Sequence, residues 1–301
     1  MIYTVTFSPA IDYVIDVDKL DLGEINRGYN EHVYAGGKGI NVSIVLSNLG
    51  RESVATGFLG GFTGEFIKGE LEKMNIKSKF IQIEGNTRIN VKLKGFKETA
   101  INVSGPNISN DKIEELIQYI ETLKEDDLLC ISGAIPKTLP DNMYELILER
   151  IKDKKITIVI DSTKQILLKT LKYHPLLVKP NQEELEEMLG VKIESKEDLV
   201  LNANKLLEMG AHNVIVSLGK DGALIVGEGI EPKFLKAPSI KPVVNTVGSG
   251  DSMVAGFIDE YINSKDVLRA FRKSVATGSA TAFSEGLATK IEVDEILEKM
   301  E

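Results

Sequence analysis

The segment Asn245-Thr-Val-Gly-Ser-Gly-Asp-Ser252 carries the residue types that most directly suggest chemistry. A turn holding Gly248 and Gly250 leads into Val254, Phe257, Ile258 and Tyr261, which have the spacing of an amphipathic helix. Glycines let a backbone come close to an anion, and the unpaired N–H groups and dipole of a helix N-terminus favour negative charge there. Two readings fit. In one, Asp251 caps the helix and the glycines only shape the turn. In the other, the Asp251 carboxylate takes the proton of an attacking hydroxyl. The backbone N–H groups of Gly248, Ser249 and Gly250 then stabilise the oxygens of a transferred phosphoryl group. A loose transition state suits so weak an acid as an alcohol, because proton transfer can lag bond formation. The two common phosphate loops are absent. GxxxxGK[ST] occurs nowhere, and Met253 stands where a dinucleotide loop needs its third glycine.

Three other segments have chemical content. Ala35-Gly-Gly-Lys-Gly-Ile-Asn41 opens a helix whose buried face holds Val42, Val45, Leu46 and Leu49, with Gly50 just past its end. Its glycines leave a flat backbone suited to a sugar ring, and Lys38 and Asn41 add a charge and an amide that both donates and accepts; an ordinary glycine-rich helix start explains the same letters. Asn181 and Glu184 have the spacing of a capping box, or of two side chains ordering water around a magnesium ion. Ser217-Leu-Gly-Lys-Asp-Gly222 ends a strand in a turn, either a plain hairpin or a nucleotide contact at the carboxyl edge of a sheet.

The elements that must hold these residues follow from the apolar pattern. Beyond about residue 105, apolar runs alternate with amphipathic stretches. Ile113, Leu116, Ile117 and Ile120 mark a helix with Ser109 as its N-cap, and Pro140 opens another at its first turn. LLCI (128–131), ITIVI (156–160) and VIVSL (214–218) fit parallel strands buried on both faces. This alternation predicts a doubly wound α/β sheet. The first hundred residues differ. IDYVIDV (11–17) and RINVKLK (88–94) alternate strictly, as half-exposed strands do, and TAINVS (99–104) suits an antiparallel partner after Gly95. On the second strand Arg88, Asn90, Lys92 and Lys94 share a polar face able to meet a charged ligand. Such a small two-faced sheet is marginal alone, so dimerisation through it is expected.

Composition narrows the function classes. The chain has 301 residues, 36 Lys+Arg against 45 Asp+Glu, and a net charge of −9, a surface that repels nucleic acid and anionic membrane. Any anionic ligand must therefore be gripped locally. With Cys130 as its one cysteine, three scattered histidines and no HExxH, an intrachain disulfide, Cys-rich zinc sites and zincin chemistry are excluded. No run approaches 18 apolar residues and no signal sequence opens the chain, so the expectation is one cytoplasmic domain spanning 1–301.

Taken together and in this order, these segments resemble the ribokinase-like (PfkB) family of sugar kinases over essentially the whole chain. AGGKGIN (35–41) is similar to the family's first signature, NTVGSGDSMVAGF (245–257) to its second, and KPNQEEL (179–185) to its Asn-x-x-Glu motif. The resemblance implies a ribokinase-like α/β fold, with a doubly wound, mostly parallel sheet flanked by helices and a small β-sheet lid. The lid strands would come from about 11–17, 26–34 and 87–104. It implies ATP at the carboxyl edge of the sheet, Mg²⁺, and an aspartate base falling on Asp251. TVTFSPAIDYVI (4–15) and TRINVKL (87–93) are most similar to members acting on ketohexose phosphates. The implied reaction is phosphorylation of fructose 1-phosphate at its 6-hydroxyl, with tagatose 6-phosphate or another ketohexose phosphate as the alternative acceptor. Asp12, Gly37, Lys38 and Asn41 would then meet the sugar, and Arg88 its existing phosphate, with Arg27, Asn90 and Ser132 as further candidates. Lys179, Asn181, Ser217, Gly219 and Gly222 would hold ATP with Gly248, Ser249 and Gly250, while Asn181 and Glu184 would reach the metal through water. Two departures stand out: Ser8 replaces the asparagine that usually precedes Pro-Ala-Ile-Asp, and Asp161-Ser-Thr-Lys164 replaces Asp-Thr-Ser-Gly. A non-catalytic sugar-phosphate sensor is the alternative of another class; retention of Asp251, the glycine turn and the Asn181/Glu184 pair weighs against it. A dinucleotide-dependent oxidoreductase lacks its GxGxxG.

Overall fold

The computed structural model describes residues 1–95 and 99–300. Among these, nine strands build one large sheet: β1 (Ile2–Thr6), β4 (Ser53–Gly60), β5 (Lys77–Ile83), β8 (Leu128–Ser132), β9 (Thr157–Asp161), β10 (Leu177–Val178), β11 (Asn213–Ser217), β12 (Ala223–Gly227) and β13 (Ile230–Leu235). Their spatial order is β13-β12-β11-β10-β9-β8-β1-β4-β5. From β5 across to β11 every pair is parallel, while β12 and β13 are added antiparallel. The helices are α1 (Lys38–Asn48), α2 (Gly61–Lys73), α3 (Asn110–Glu121), α4 (Met143–Ile151), α5 (Lys164–Thr170), α6 (Gln182–Leu189), α7 (Lys196–Glu208), α8 (Ser249–Ser264), α9 (Val267–Ala282) and α10 (Lys290–Lys299).

Burial on both faces explains why the central strands read as continuous apolar runs. Along β8, Leu129 and Ile131 point into the core under α3 to α7, whereas Leu128 and Cys130 point into the core under α1, α8, α9 and α10. The Cys130 thiol is fully enclosed, and burial pushes it up to about 12. Among the described residues no helix is long and apolar enough to cross a membrane.

A second sheet stands off the first, with β2 (Ala10–Val17), β3 (Gly28–Gly36), β6 (Arg88–Lys94) and β7 (Thr99–Asn102) in the order β3-β2-β6-β7. Its strands come from the three expected segments, and β7 pairs antiparallel with β6; the connection at 96–98 lies outside the described residues. Ile11 and Ala35 pack this sheet onto Ile40 and Ile44 of α1 and Ile67 and Leu71 of α2. From β3 the chain passes without a loop into α1, because Gly36 ends the strand and Gly37 caps the helix. Gly37 has φ 131°, and a Cβ there would stand 2.7 Å from Thr6 Cγ2, so glycine is required.

Three details depart from the sequence pattern. The main sheet already contains β1, β4 and β5 from the first hundred residues. Their apolar signal is broken by buried polar residues: Thr4 and Ser53 both hydrogen-bond the Ser43 hydroxyl (2.8 and 2.9 Å), and Thr56 donates to the Lys79 carbonyl. Pro140 does not open α4. It accepts the Met143 N–H in a turn, and the helix starts at Met143. Ser109 does sit at the N-cap of α3, although its hydroxyl makes no capping bond.

Candidate active site

In an open α/β sheet, ligands bind beyond the carboxyl ends of the strands where the chain reverses its direction of travel across the sheet. Here the chain moves from β1 outward through β4 and β5, then returns to β8 on the other side of β1. Thr6 and Ser132, paired in register at the ends of β1 and β8, flank that crevice. A cavity of about 580 Å³ opens above them. It is lined by Gly37, Lys38 and Asn41 at the start of α1, Arg88 of the small sheet, segments 102–105 and 132–134, Pro136, Lys137, Gly248, Gly250 and Asp251. A second cavity, of about 810 Å³, lies further along the same edge among Asn181, Ser217, Gly219, Gly222, 237–239, Thr246 and Ser249, with Val275, Ala282 and Phe283 as an apolar wall. Gly250 lines both, so the first turn of α8 divides one chamber from the other.

Gly248 caps α8 with φ 81°, a conformation few L-residues adopt, so the helix begins at this divide. The Ser249 N–H closes the turn on the Thr246 carbonyl at 3.2 Å, so one of the three expected phosphoryl donors is already engaged. Asp251 does not act as a cap. Its carboxylate is buried, accepts a hydrogen bond of 2.7 Å from Asn41 Nδ2, and lies 3.8 Å from Lys38 Nζ. Lys38 also holds Asp161 Oδ2 at 3.0 Å, and Lys179 approaches Asp161 Oδ1 at 3.5 Å. Two carboxylates and two ammonium groups thus interlock beneath the divide, with Lys179 Nζ 3.1 Å from where a Cβ on Gly250 would sit.

This cluster sets its own protonation. Burial pushes the Asp251 carboxyl up to about 6; Asp161 adds to the rise, while Lys38, the Asn41 hydrogen bond and Lys179 oppose it. Asp161, which burial alone would raise, is held below its ordinary value by Lys179 and Lys38. Lys38 is raised, chiefly by Asp161, and stays a cation. A carboxylate poised near 6 in a cleft is suited to accepting a proton at neutral pH.

Arg88 is the other unusual group. Its guanidinium is about half-buried and burial lowers its pKa, an effect Asp12 partly offsets, yet an arginine remains charged. It donates to the Ser8 carbonyl at 3.1 Å, and its buried Nε–H has no partner among the described residues. A buried charge with an unused donor is a place for an anion.

Of the residues singled out in the sequence, Gly37, Lys38, Asn41, Arg88, Ser132, Gly248, Gly250 and Asp251 meet around the first cavity. Asn181, Ser217, Gly219, Gly222, Ser249 and Gly250 meet around the second. Others do not line either. Asp12 is engaged by Asn90 Nδ2 and Lys92 Nζ, each at 3.0 Å, and Arg27 is exposed in the segment before β3. Lys179 lies behind the divide, and Glu184 is tied to Asn181 in a complete capping box at α6 (2.7 and 2.8 Å). Asp161 and Lys137 were missed. Asp161 had a signal, a lone carboxylate closing the buried run ITIVI, whereas Lys137 had none.

Residues 3–294 match the pfkB family carbohydrate kinases, and the chain belongs to that family. It is 44% identical over 298 residues to the 1-phosphofructokinase of Bacillus subtilis, covering 99% of this chain and 97% of the relative. It is also 38% identical to the D-tagatose-1-phosphate kinase of Bacillus licheniformis, covering 98% and 97%. Among solved structures, phosphofructokinase-2 from Escherichia coli in complex with substrates and products superposes with a TM-score of 0.92 at 26% identity, over 99% of both chains. The protein is therefore a carbohydrate kinase with the ribokinase-like arrangement of a large sheet and a small one.

Proposed function

We propose that the chain, acting as one kinase domain in the cytoplasm, transfers the γ-phosphoryl group of ATP to the 6-hydroxyl of fructose 1-phosphate. The products are fructose 1,6-bisphosphate and ADP. The carrying observation is the buried Asp251 carboxylate at the wall shared by two cavities, one of which presents an anion-seeking arginine. Similarity to the B. subtilis 1-phosphofructokinase supports the choice of acceptor. Fructofuranose has a CH₂OH arm on each side of its ring oxygen, so a pocket gripping the phosphate on one arm presents the other arm to the nucleotide.

In this reading Arg88 anchors the acceptor's phosphate, and Gly37 and Asn41 flank the ring. Asp251 accepts the hydroxyl proton as the oxygen bonds to phosphorus and the bridging oxygen leaves with ADP. The N–H groups of Gly248 and Gly250, the α8 dipole and Lys38 meet the charge on the transferring group. The second cavity, with glycines at 219 and 222 and the apolar wall from α9, has the room and chemistry for a nucleotide. Among the described residues no cluster of three His, Cys, Asp or Glu forms a metal cage. The donor set fits an ion kept mainly by phosphates and water: the capping box takes Asn181 Oδ1 and Glu184 Oε2, which leaves Glu184 Oε1 outside it. Bound Mg²⁺ would neutralise phosphate charge.

The deciding experiment follows ADP release with fructose 1-phosphate, fructose 6-phosphate, tagatose 6-phosphate and tagatose 1-phosphate. Fructose 1-phosphate is expected to give the highest kcat/KM; a tagatose phosphate in first place would reassign the acceptor. In the same assay Arg88→Ala should raise the KM for the sugar phosphate at least tenfold while changing kcat less, since a charged hydrogen bond contributes about 1.5–3 kcal/mol. An unaltered KM would remove Arg88 from the phosphate.

The small sheet supports a homodimer. Leu22, Ile25 and Tyr29 near its edge, and Ile101 on β7, are more than half exposed. Light scattering at assay concentration should give twice the chain mass, and a monomer would count against pairing through this sheet.

A further inference from the structure

Resting on the sugar-phosphate reading above, we infer that Lys137 is the second cation of the acceptor-phosphate pocket, a specificity-determining residue that closes on the phosphate opposite Arg88. The first ground is charge. A phosphate monoester carries nearly two negative charges at neutral pH. The acceptor cavity is lined by three cations, Lys38, Arg88 and Lys137. Lys38 is held beside Asp161 and Asp251 at 3.0 and 3.8 Å, where it serves the transferring group rather than the acceptor's phosphate. Arg88 alone leaves about one charge unmatched. Lys137 is exposed at the cavity rim, and among the described residues no carboxylate lies within ion-pairing distance of it.

The second ground is position. The neighbours of Lys137 on either side, Pro136 and Thr138, line a small recess together with Arg88, Ser8 and Gly105. Two buried polar atoms border that recess without a partner among the described residues, Arg88 Nε and Thr138 Oγ1. The backbone on both sides of Lys137 is thus packed at the Arg88 end of the cavity. Lys137 itself lines the larger cavity, as Arg88 does, so both cations front the space in which the acceptor's phosphate would sit. In a chain of net charge −9 such a local concentration of donors is needed to hold an anion at all.

The test compares wild type, Lys137→Met and Lys137→Arg with fructose 1-phosphate and ATP as varied substrates. The Met variant is expected to raise the KM for fructose 1-phosphate about tenfold, with kcat and the KM for ATP within twofold of wild type. Arg should restore most of the loss. A KM for fructose 1-phosphate within twofold of wild type in the Met variant would overturn the assignment. So would a fall in kcat at constant KM, because that would move the cation to the transferring group. A wild-type enzyme idle with every ketohexose phosphate would sink the functional reading and this inference with it, whereas an active wild type beside an indifferent Met variant sinks this inference alone.

Discussion

Asp251→Asn is expected to lower kcat by about three orders of magnitude, within the roughly 10²–10⁴-fold range that a positioned general base supplies, while the KM for either substrate changes little. Asparagine keeps the size of the side chain and an oxygen for Asn41 Nδ2, so the pocket survives and only the proton acceptor is lost. The pH profile offers a second check. With the carboxyl at about 6, kcat/KM of the wild type should fall as pH drops through that value, and the Asn variant should lose this limb. Stability should move the opposite way. The folded-state pKa lies above the ordinary 3.8, so the fold favours the protonated form. That contribution is fully present below about 3.8 and is lost as pH rises through 6. The neutral Asn variant should therefore melt higher than wild type at pH 8 and show little gain at pH 4. A variant at near wild-type rate, or one melting lower at pH 8, would take Asp251 out of the role given to it.

Lys38→Met is expected to lower kcat/KM at least a hundredfold and to carry the acidic limb above pH 6. Lys38 stands between Asp161 and Asp251 and is the largest influence holding the Asp251 pKa down; without it the two carboxylates face each other with only Lys179 nearby. Less Asp251 is then ionised at neutral pH, and the transferring group loses a cation. Because more than a third of the Lys38 side chain is exposed and Lys179 still faces Asp161, the loss in melting temperature should be modest beside the loss in rate. A pH limb that stays at 6 in this variant would uncouple Lys38 from Asp251.

The parts of the site legible in the sequence were those written within one segment. Gly-Gly-Lys-Gly before Ile40 and Gly-Ser-Gly-Asp before Ser252 are local statements, in which a turn that needs glycine is followed by a helix period, and both fold as they read. The capping box of Asn181 and Glu184 is equally local, and both of its bonds form. What escaped depends on distance along the chain. Asp161 at the end of β9 meets Lys38 at the start of α1, 123 residues earlier, and Lys179 just past β10, and Lys137 becomes a cavity residue only because the loop after β8 returns toward Arg88. β1 and β4 escaped for a different reason: their buried threonines and serines satisfy one another across elements, so polarity in the sequence did not mean exposure in the fold.

The loopless join between β3 and α1 ties the small sheet directly to the residues that touch Asp251. Gly36 and Gly37 are the whole of the joint, and the residues that touch Asp251 begin one position later. A displacement of that sheet about its root would bear first on Lys38 and Asn41, the side chains that hold Asp251 in place.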